Sequence, residues 1–144
     1  MLFIDTVVKR SSKHGLGLFT VGPVKKGEVV WVYDARFDRV FTDDEVSSFP
    51  ESVRECIERY SMWDRETGLY VFCGDNARYT NHSGTPNLVS SGAYGVEYAA
   101  CDIGADEELF ADYFEITDDP HDTRGSSKPA HVDCTAFLRV EAYA

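Results

Sequence analysis

Two segments of this 144-residue chain, one rich in polar residues and one a glycine turn, contain residue types that could bind a ligand. The denser one, residues 78–87, reads RYTNHSGTPN, and in it Asn81 and His82 place an amide beside an imidazole. Both groups can donate and accept hydrogen bonds, so the pair suits the recognition of a polar ligand. Pro86 and Asn87 favour a turn directly behind them. A purely structural loop can have the same composition, so this segment alone does not assign a function.

The other segment is the turn HGLG, in which Gly15 and Gly17 flank Leu16. Glycine has no Cβ atom, so the backbone here can turn sharply and approach a ligand closely. A two-glycine turn before a strand is usually only a turn. The pattern is also not the dinucleotide-binding fingerprint, because no third glycine and no helix follow it.

An acidic turn with the sequence DEELFADY occupies residues 106–113 and leads into a short predicted strand that ends at Tyr113. By itself it could be any strand end. Together, in this order and at these separations, the three segments resemble the SET-domain family of protein lysine methyltransferases. The resemblance covers about residues 14–113 and is carried by the G-x-G turn, the N-H-S-x-x-P-N run and the E-E-L-x-x-D-Y segment. A chance match in an unrelated β-rich domain is the competing explanation.

The sequence between the motifs extends the match. The residues Lys26-Gly27-Glu28 look like the family's K-x-G-E turn, and Asp102-Ile103 is similar to the start of its D-I-x-x-G-E-E-L pattern. Asp106 stands where that pattern usually has glycine. We expect the change to be mild, because aspartate also tolerates left-handed backbone geometry.

Short strands punctuated by Gly, Pro, Asn and Asp are predicted along most of the first 113 residues. Their apolar runs are Leu2 to Val8, Glu28 to Tyr33, Leu69 to Cys73 and Gly95 to Ala100. A helical insert is predicted at about 43–61, where the capping-box pattern TDDE begins. After Pro50, an apolar stripe recurs at helical spacing and is expected to pack in the core; it consists of Val53, Cys56, Ile57 and Tyr60.

The resemblance implies a mostly β, β-clip-like SET fold of several small twisted sheets, with a small helical insert and a threaded C-terminal segment. We assign 1–116 to the SET domain and 117–144 to a C-terminal extension that closes the lysine channel. Many members follow N-H-S with a cysteine and end in a cysteine-rich zinc segment. Here that position is Gly84 and only Cys134 follows Tyr113. We therefore expect no metal, and a channel closed by apolar residues, for which the candidates are Phe114, Phe137 and Tyr143.

The resemblance also implies roles for individual residues. S-adenosylmethionine is expected to contact Gly15, Leu16, Gly17, Arg78, Asn81, His82 and Tyr113. The catalytic residues are expected to be Tyr113, whose hydroxyl orients the amine, and Tyr33, which lies 14 residues after Phe19. The substrate channel is expected to include Tyr33, Ser90, Ala111 and Phe114.

Methyl transfer to an amine is a direct displacement, so the reaction needs alignment and an uncharged amine more than a covalent intermediate. Desolvation and the nearby sulfonium lower the pKa of the lysine, so no strong general base is required and His82 is expected to serve structure and cofactor contact. Members that add one methyl commonly carry tyrosine where this chain has Ser90 or Ala111. We therefore predict di- or trimethylation, unless Phe110, Tyr94 or the C-terminal segment fills that space.

The formal net charge of −11 argues against direct nucleic-acid binding and suits a basic protein partner such as a histone, a histone-like protein or a ribosomal protein, although the charge also fits a role in solubility alone. The four cysteines show no C-x-x-C pair and are expected to be reduced and mostly buried. No export signal or membrane span is predicted, which suggests an intracellular protein, cytoplasmic or, in a eukaryote, nuclear. The rival to an enzyme is a SET-like module that binds a basic peptide or the cofactor without turnover.

Overall fold

Four small sheets make up the part of the chain that the computed structural model describes, residues 1–64, 67–90 and 95–113. Its strands in chain order are β1 (Thr6–Arg10), β2 (Leu16–Thr20), β3 (Val29–Val32), β4 (Arg39–Thr42), β5 (Ser61–Asp64), β6 (Leu69–Phe72), β7 (Asn81–His82), β8 (Leu88–Ser90), β9 (Val96–Ala99) and β10 (Phe110–Ala111). Its α-helices are α1 (Asp43–Ser48) and α2 (Glu51–Tyr60), and a short 3-10 helix spans Asn76–Tyr79. The predicted mostly β fold with a small helical insert is confirmed.

Three of the sheets are antiparallel and one is parallel. Strands β1 and β2 form a hairpin, β9 lies between β3 and β8, and β6 lies between β4 and β5. The fourth sheet is a parallel pair in which Phe110 lies opposite Asn81 and Ala111 opposite His82. This pairing brings the N-H-S run against the E-E-L-x-x-D-Y segment, which are far apart in the sequence.

The helical insert is two helices rather than one. Proline cannot donate a backbone hydrogen bond and disfavours helix in the residue before it, so α1 ends before Pro50 and α2 begins after it. The predicted capping box is present: the Thr42 hydroxyl accepts from the Glu45 backbone N–H, and the Glu45 carboxylate accepts from the Thr42 N–H. The expectation that the whole apolar stripe is buried was wrong. Ile57 packs with Val46 in the core, but other members of the stripe do not.

Val53 and Cys56 face solvent, since α2 covers the sheet with only a narrow face. Cys101 is exposed as well, so among the described cysteines only Cys73 is buried, and the prediction of mostly buried cysteines was wrong. All three are free thiols. Cys134 lies outside the described residues.

The main core lies between the first hairpin and the β3–β9–β8 sheet. Leu18, Val30 and Leu109 are fully buried at its centre. Strand β1 begins at Thr6, later than predicted, because Leu2 makes only an isolated bridge to Trp31. No helix within the described residues is long and apolar enough to cross a membrane. The predicted C-terminal extension, with the channel-closing candidates Phe114, Phe137 and Tyr143, lies outside the described residues, as does Tyr94.

Candidate functional site

The side-chain amide of Asn81 joins the three sequence motifs. Its Nδ2 donates to the backbone carbonyls of His14 and Leu16, at 3.2 and 2.9 Å, and to Oε1 of Glu108 at 2.9 Å. The Glu108 carboxylate also accepts from the hydroxyl of Ser11 at 3.0 Å. We call this cluster the motif junction: Ser11, the turn 14–17, Asn81 and Glu108. It ties the G-x-G turn to the two later motifs.

Gly17 has a packing role within the motif junction. A Cβ atom at this position would overlap the Glu108 carboxylate and lie 3.2 Å from Nδ2 of Asn81. Gly15 has φ +47, in the left-handed region that favours glycine, and Leu16 between them is exposed. The absent Cβ of Gly17 therefore makes room for Glu108, while Gly15 makes the turn. Asp106 has φ 63, which confirms that aspartate retains the left-handed geometry of the usual glycine.

Asn87 fixes the last motif from the other side. Its Nδ2 donates to the Glu108 carbonyl and its Oδ1 accepts from the Phe110 N–H, both at 2.8 Å. The side chain thus pairs with the backbone of the 108–110 segment as a neighbouring strand would. The asparagine of the predicted P-N turn is buried and determines where β10 lies.

Tyr113 is held by two hydrogen bonds at the end of the last motif. Its hydroxyl donates to the Thr80 carbonyl at 2.5 Å, and its backbone N–H donates to Nδ1 of His82 at 3.2 Å. A hydroxyl has one proton, so while the Tyr113 hydroxyl donates to the Thr80 carbonyl its oxygen can act toward other groups only as an acceptor. The Nδ1 lone pair of His82 is engaged by the backbone. The Asp112 carboxylate lies 3.7 Å from the same nitrogen.

A cleft opens next to Tyr113, between the helical insert and the β3–β9–β8 sheet. We refer to it as the cleft throughout. It is lined by Trp31, Arg59, Tyr60, Ser61, Met62, Cys73, Ala77, Arg78, Thr80, Glu97, Ala111 and Tyr113. The Arg78 guanidinium lies over the rings of Phe72 and Tyr79, 5.6 and 5.3 Å from their centroids. The wall therefore combines aromatic and apolar side chains with polar ones, which include two arginines and one glutamate.

One of those polar groups is a buried carboxylate. The Glu97 side chain is 8% exposed and accepts no hydrogen bond within the described part of the chain. Burial raises its pKa from 4.5 to about 7; the N-terminal amine lowers it, and Asp75 adds a smaller increase. Two further polar atoms of the wall, Trp31 Nε1 and Ser61 Oγ, are buried without a hydrogen-bond partner among the described residues.

Tyr33 lies behind this wall. It is buried in a cluster with Trp31, Val71 and Cys73, and its ring meets that of Trp31 edge-on at 6.5 Å. Burial raises the pKa of its hydroxyl, and the neighbouring Asp38 and Asp34 raise it further. It is not among the described residues that line the cleft.

The predicted site residues fall into two connected groups. Gly15, Leu16, Gly17 and Asn81 lie in the motif junction, whereas Arg78, Ala111 and Tyr113 lie along the cleft. His82 connects the two through Tyr113. Ser90 lies opposite Glu97 in the β8–β9 pair, Tyr33 lies behind Trp31, and Phe114 lies outside the described residues.

Sequence reasoning named no role for Glu97, Glu108 or Trp31. A signal for Glu97 exists: it is the one charged residue in the apolar segment Gly95–Ala100, and strand alternation places it on the same face as the buried Ala99. No cluster of three or more His, Cys, Asp or Glu side chains that could hold a metal occurs within the described ranges.

A family model described as the SET domain matches residues 15–114, more than half of the chain. The chain therefore belongs to the SET-domain family. A candidate histone-lysine N-methyltransferase 1 of Plasmodium falciparum is 29% identical over 113 residues, 74% of this chain. The chain spans only 2% of the length of that relative.

Two solved structures show the same fold. A candidate histone methyltransferase of Plasmodium falciparum is 21% identical, with a TM-score of 0.54 over 76% of this chain and 93% of that one. A humanised mutant of the Chaetomium thermophilum Polycomb Repressive Complex 2, bound to an inhibitor, is 26% identical, with a TM-score of 0.59 over 80% of this chain and 16% of that one. The predicted SET fold is confirmed by these likenesses.

Proposed function

We propose that this protein transfers a methyl group from S-adenosylmethionine to a lysine side chain of a basic protein inside the cell. The observation that carries the proposal is the motif junction, because it gathers the three motifs of the family and leaves Tyr113 beside a cleft with aromatic walls. The histone-related names of the relatives favour the same activity.

The cofactor would be held by the turn at Gly15, Leu16 and Gly17, which is exposed at its first two residues, and by the neighbouring Asn81 and His82. This turn fits a ligand with many polar atoms, since its exposed backbone is fixed in place from beneath by Asn81. Arg78 and Tyr113 would complete the contacts from the cleft side. When bound, S-adenosylmethionine supplies the electrophilic methyl group.

Tyr113 would orient the amine. Its hydroxyl proton is donated to Thr80, so its lone pairs are the groups that can accept an N–H of the incoming lysine. Holding the nitrogen in line with the methyl group is worth several orders of magnitude in rate. Tyr33 would act more indirectly, through its contact with the Trp31 ring that lines the cleft.

A transfer assay tests the activity directly. The protein should label a mixture of basic proteins with radioactive methyl groups. Tyr113→Phe keeps the ring that contacts the cofactor and removes only the hydroxyl, so it should retain most of the cofactor affinity in calorimetry while losing at least 10-fold in rate. Normal cofactor binding without any transfer by the unsubstituted protein would favour the rival, a module that binds without turnover.

Asn81→Ala should weaken cofactor binding severely. The structure adds that this amide also anchors the G-x-G turn, so the variant should lose stability as well. Binding is therefore measured by calorimetry without urea, at a temperature at which circular dichroism shows that the variant is folded. Unchanged affinity in a folded variant would mean that the cofactor binds elsewhere.

The substrate class follows from the net charge of −11, which attracts lysine- and arginine-rich proteins such as histones, histone-like proteins or ribosomal proteins over a long range. Raising the salt concentration should raise the KM for such a substrate, because the Debye length falls from about 10 Å at 0.1 M to about 3 Å at 1 M. The control is a peptide that contains one lysine between uncharged residues, and its KM should change little with salt. Equal salt responses would contradict the electrostatic argument.

The number of methyl groups added would be two or three. Ala111 is buried at the wall of the cleft and has no hydroxyl to hold a water molecule beside the amine. A methylated amine can then rotate and present its lone pair again. Mass spectrometry at long reaction times should show di- or trimethyl-lysine, and Ala111→Tyr should shift the product toward one methyl. A product of the unsubstituted protein that stops at one methyl contradicts this.

A further inference from the structure

Glu97 is placed to meet the substrate amine. It is on the buried face of β9, and its side chain forms part of the wall of the cleft together with Ala111 and Tyr113. We propose that the Glu97 carboxylate binds the ammonium group of the substrate lysine and accepts its proton before methyl transfer. This inference rests on the proposed function for the reaction, but the cation site it describes can be tested without turnover.

The first argument is the cost of burying this carboxylate. A charged group removed from water is unfavourable unless it is paired or hydrogen-bonded. Glu97 is more than nine-tenths buried and has neither kind of partner among the described residues. A positively charged guest with N–H donors supplies both, and the lysine ammonium has three donors.

The second argument is the polar character of the surrounding wall. Trp31 Nε1 and Ser61 Oγ lack hydrogen-bond partners within the described chain, and both residues line the same cleft as Glu97, with Trp31 directly opposite Glu97 in the β3–β9 pair. A cleft built only for hydrocarbon would not leave these two polar atoms unsatisfied beside a carboxylate, because each one costs free energy when buried. The cleft therefore suits a guest with an apolar stem and a polar end.

The third argument concerns proton transfer. The reaction begins with Lys-NH3⁺ and Glu97-COO⁻; one proton moves to the carboxylate, which leaves a neutral amine with a free lone pair. The amine nitrogen then forms a bond to the methyl carbon as the carbon–sulfur bond breaks, and the electron pair stays on sulfur. A carboxyl group with a pKa of about 7 is suited to accept a proton near neutral pH and to release it to water afterwards.

Other ionisable groups surround this carboxylate, and among them the N-terminal amine lowers its pKa while Asp75 raises it. They are Asp75 and the N-terminal amine, the thiol of Cys73, and across the cleft Arg59, Tyr60, Arg78 and Tyr113. Burial raises the pKa of Cys73 well above its ordinary value, so this thiol stays neutral. Arg59 is exposed and Arg78 is stacked on two rings, and neither forms an ion pair with Glu97 among the described residues.

A binding experiment tests the cation site alone. Butylammonium, a mimic of the lysine side chain, is titrated at pH 8 while the indole N–H signal of Trp31 is followed by NMR, and 1-butanol serves as the uncharged probe. We expect butylammonium to bind at least 10-fold more tightly than butanol, and Glu97→Gln to abolish that preference. The exposed Glu55→Gln, which removes the same charge, should keep it. Equal affinities for the two probes would overturn the proposal, whether or not the protein transfers methyl groups.

A pH profile then tests proton transfer. In the unsubstituted protein, kcat/KM should level off above about pH 7, whereas Glu97→Gln should lose on the order of 100-fold at pH 7. The variant should recover steadily toward pH 10, where the free lysine amine is already neutral in solution. Parallel profiles for the two proteins would overturn the role as proton acceptor. A preference for butylammonium without methyl transfer would instead refute the proposed function and leave the cation site standing.

Discussion

Two glutamates of this protein are equally buried but differ in their hydrogen bonds and in their position in the fold. Glu108 and Glu97 are each 8% exposed. Glu108 accepts hydrogen bonds from Asn81 and Ser11 and thereby holds the motif junction together. Glu97 accepts none within the described residues and lines the cleft. The same side chain at the same depth is stabilising where it is satisfied by its own chain and destabilising where it is left for a ligand.

The largest loss of stability is expected when the Glu108 side chain is removed. Glu108→Ala deletes two hydrogen bonds to a charged acceptor and leaves an unfilled space beside Gly17, so the free energy of unfolding should fall by about 3 kcal/mol. Urea denaturation followed by circular dichroism measures it. The exposed Glu55→Ala is the control, and a loss no larger than that of the control would show that Glu108 is not the centre of the junction.

Glu97→Gln should raise the free energy of unfolding, whereas Glu108→Ala lowers it. The folded-state pKa of Glu97 is raised from 4.5 to about 7, so its cost is absent below about pH 4.5 and complete above pH 7. At 1.36 kcal/mol per pKa unit, the variant should exceed the unsubstituted protein in stability by roughly 3 kcal/mol at most at pH 8, and the two should converge near pH 4. Thermal denaturation at both pH values measures this difference. If Glu97→Gln is less stable than the unsubstituted protein at pH 8, the Glu97 carboxylate does not destabilise the fold.

Gly17→Ala changes the packing around Glu108 and leaves Glu108 itself in place. The new Cβ atom would press on the carboxylate and on the Asn81 amide, and overpacking of this kind costs about 1 to 3 kcal/mol. Gly22→Ala is the matched control, because nothing lies within 4 Å of a Cβ atom at that position. Equal unfolding free energies for the two variants would mean that the motif junction can accommodate an extra methyl group without strain.

The smallest effect is expected at a third glutamate, Glu45, which is exposed. Its carboxylate accepts two hydrogen bonds from Thr42, from the backbone N–H at 2.8 Å and the hydroxyl at 3.0 Å, and these lower its pKa. The number of hydrogen bonds equals that of Glu108, but water can replace them. Glu45→Gln should therefore cost less stability than Gly17→Ala in the same urea assay. A cost as large as that of Glu108→Ala would show that burial is not what distinguishes these sites.

Much of the fold followed from local patterns. The capping box at Thr42 and the strands β3, β6 and β9 lie within patterns of neighbouring residues, so the sequence is enough to predict them. Strands β4 and β5 were not predicted, because neither forms a distinct apolar run. The exposure of Val53 and Cys56 could not be predicted, because a helical stripe shows periodicity but not how wide a face the sheet covers.

The site was predictable only as a set of motifs. The family resemblance named Asn81, yet not that its amide anchors the G-x-G turn, since that depends on contacts across 65 and 67 residues. Glu97 was overlooked because none of the motifs recognised in the sequence includes it, and a single glutamate in an apolar strand indicates burial only after the inward face is known. Chemical function assigned from motifs therefore omits groups that lie outside those motifs.

The long-range nature of the motif junction has a consequence for how the molecule folds. The bond between Ser11 and Glu108 spans 97 residues, and the parallel pair β7–β10 is only two residues long on each side. Closing such loops loses chain entropy before many contacts form, so proteins rich in distant contacts fold slowly. We expect the hairpin β1–β2 and the helices of the insert to form early, and the motif junction to form at the rate-limiting step. A nascent chain would then acquire its ligand-binding surface only after residue 111 has left the ribosome.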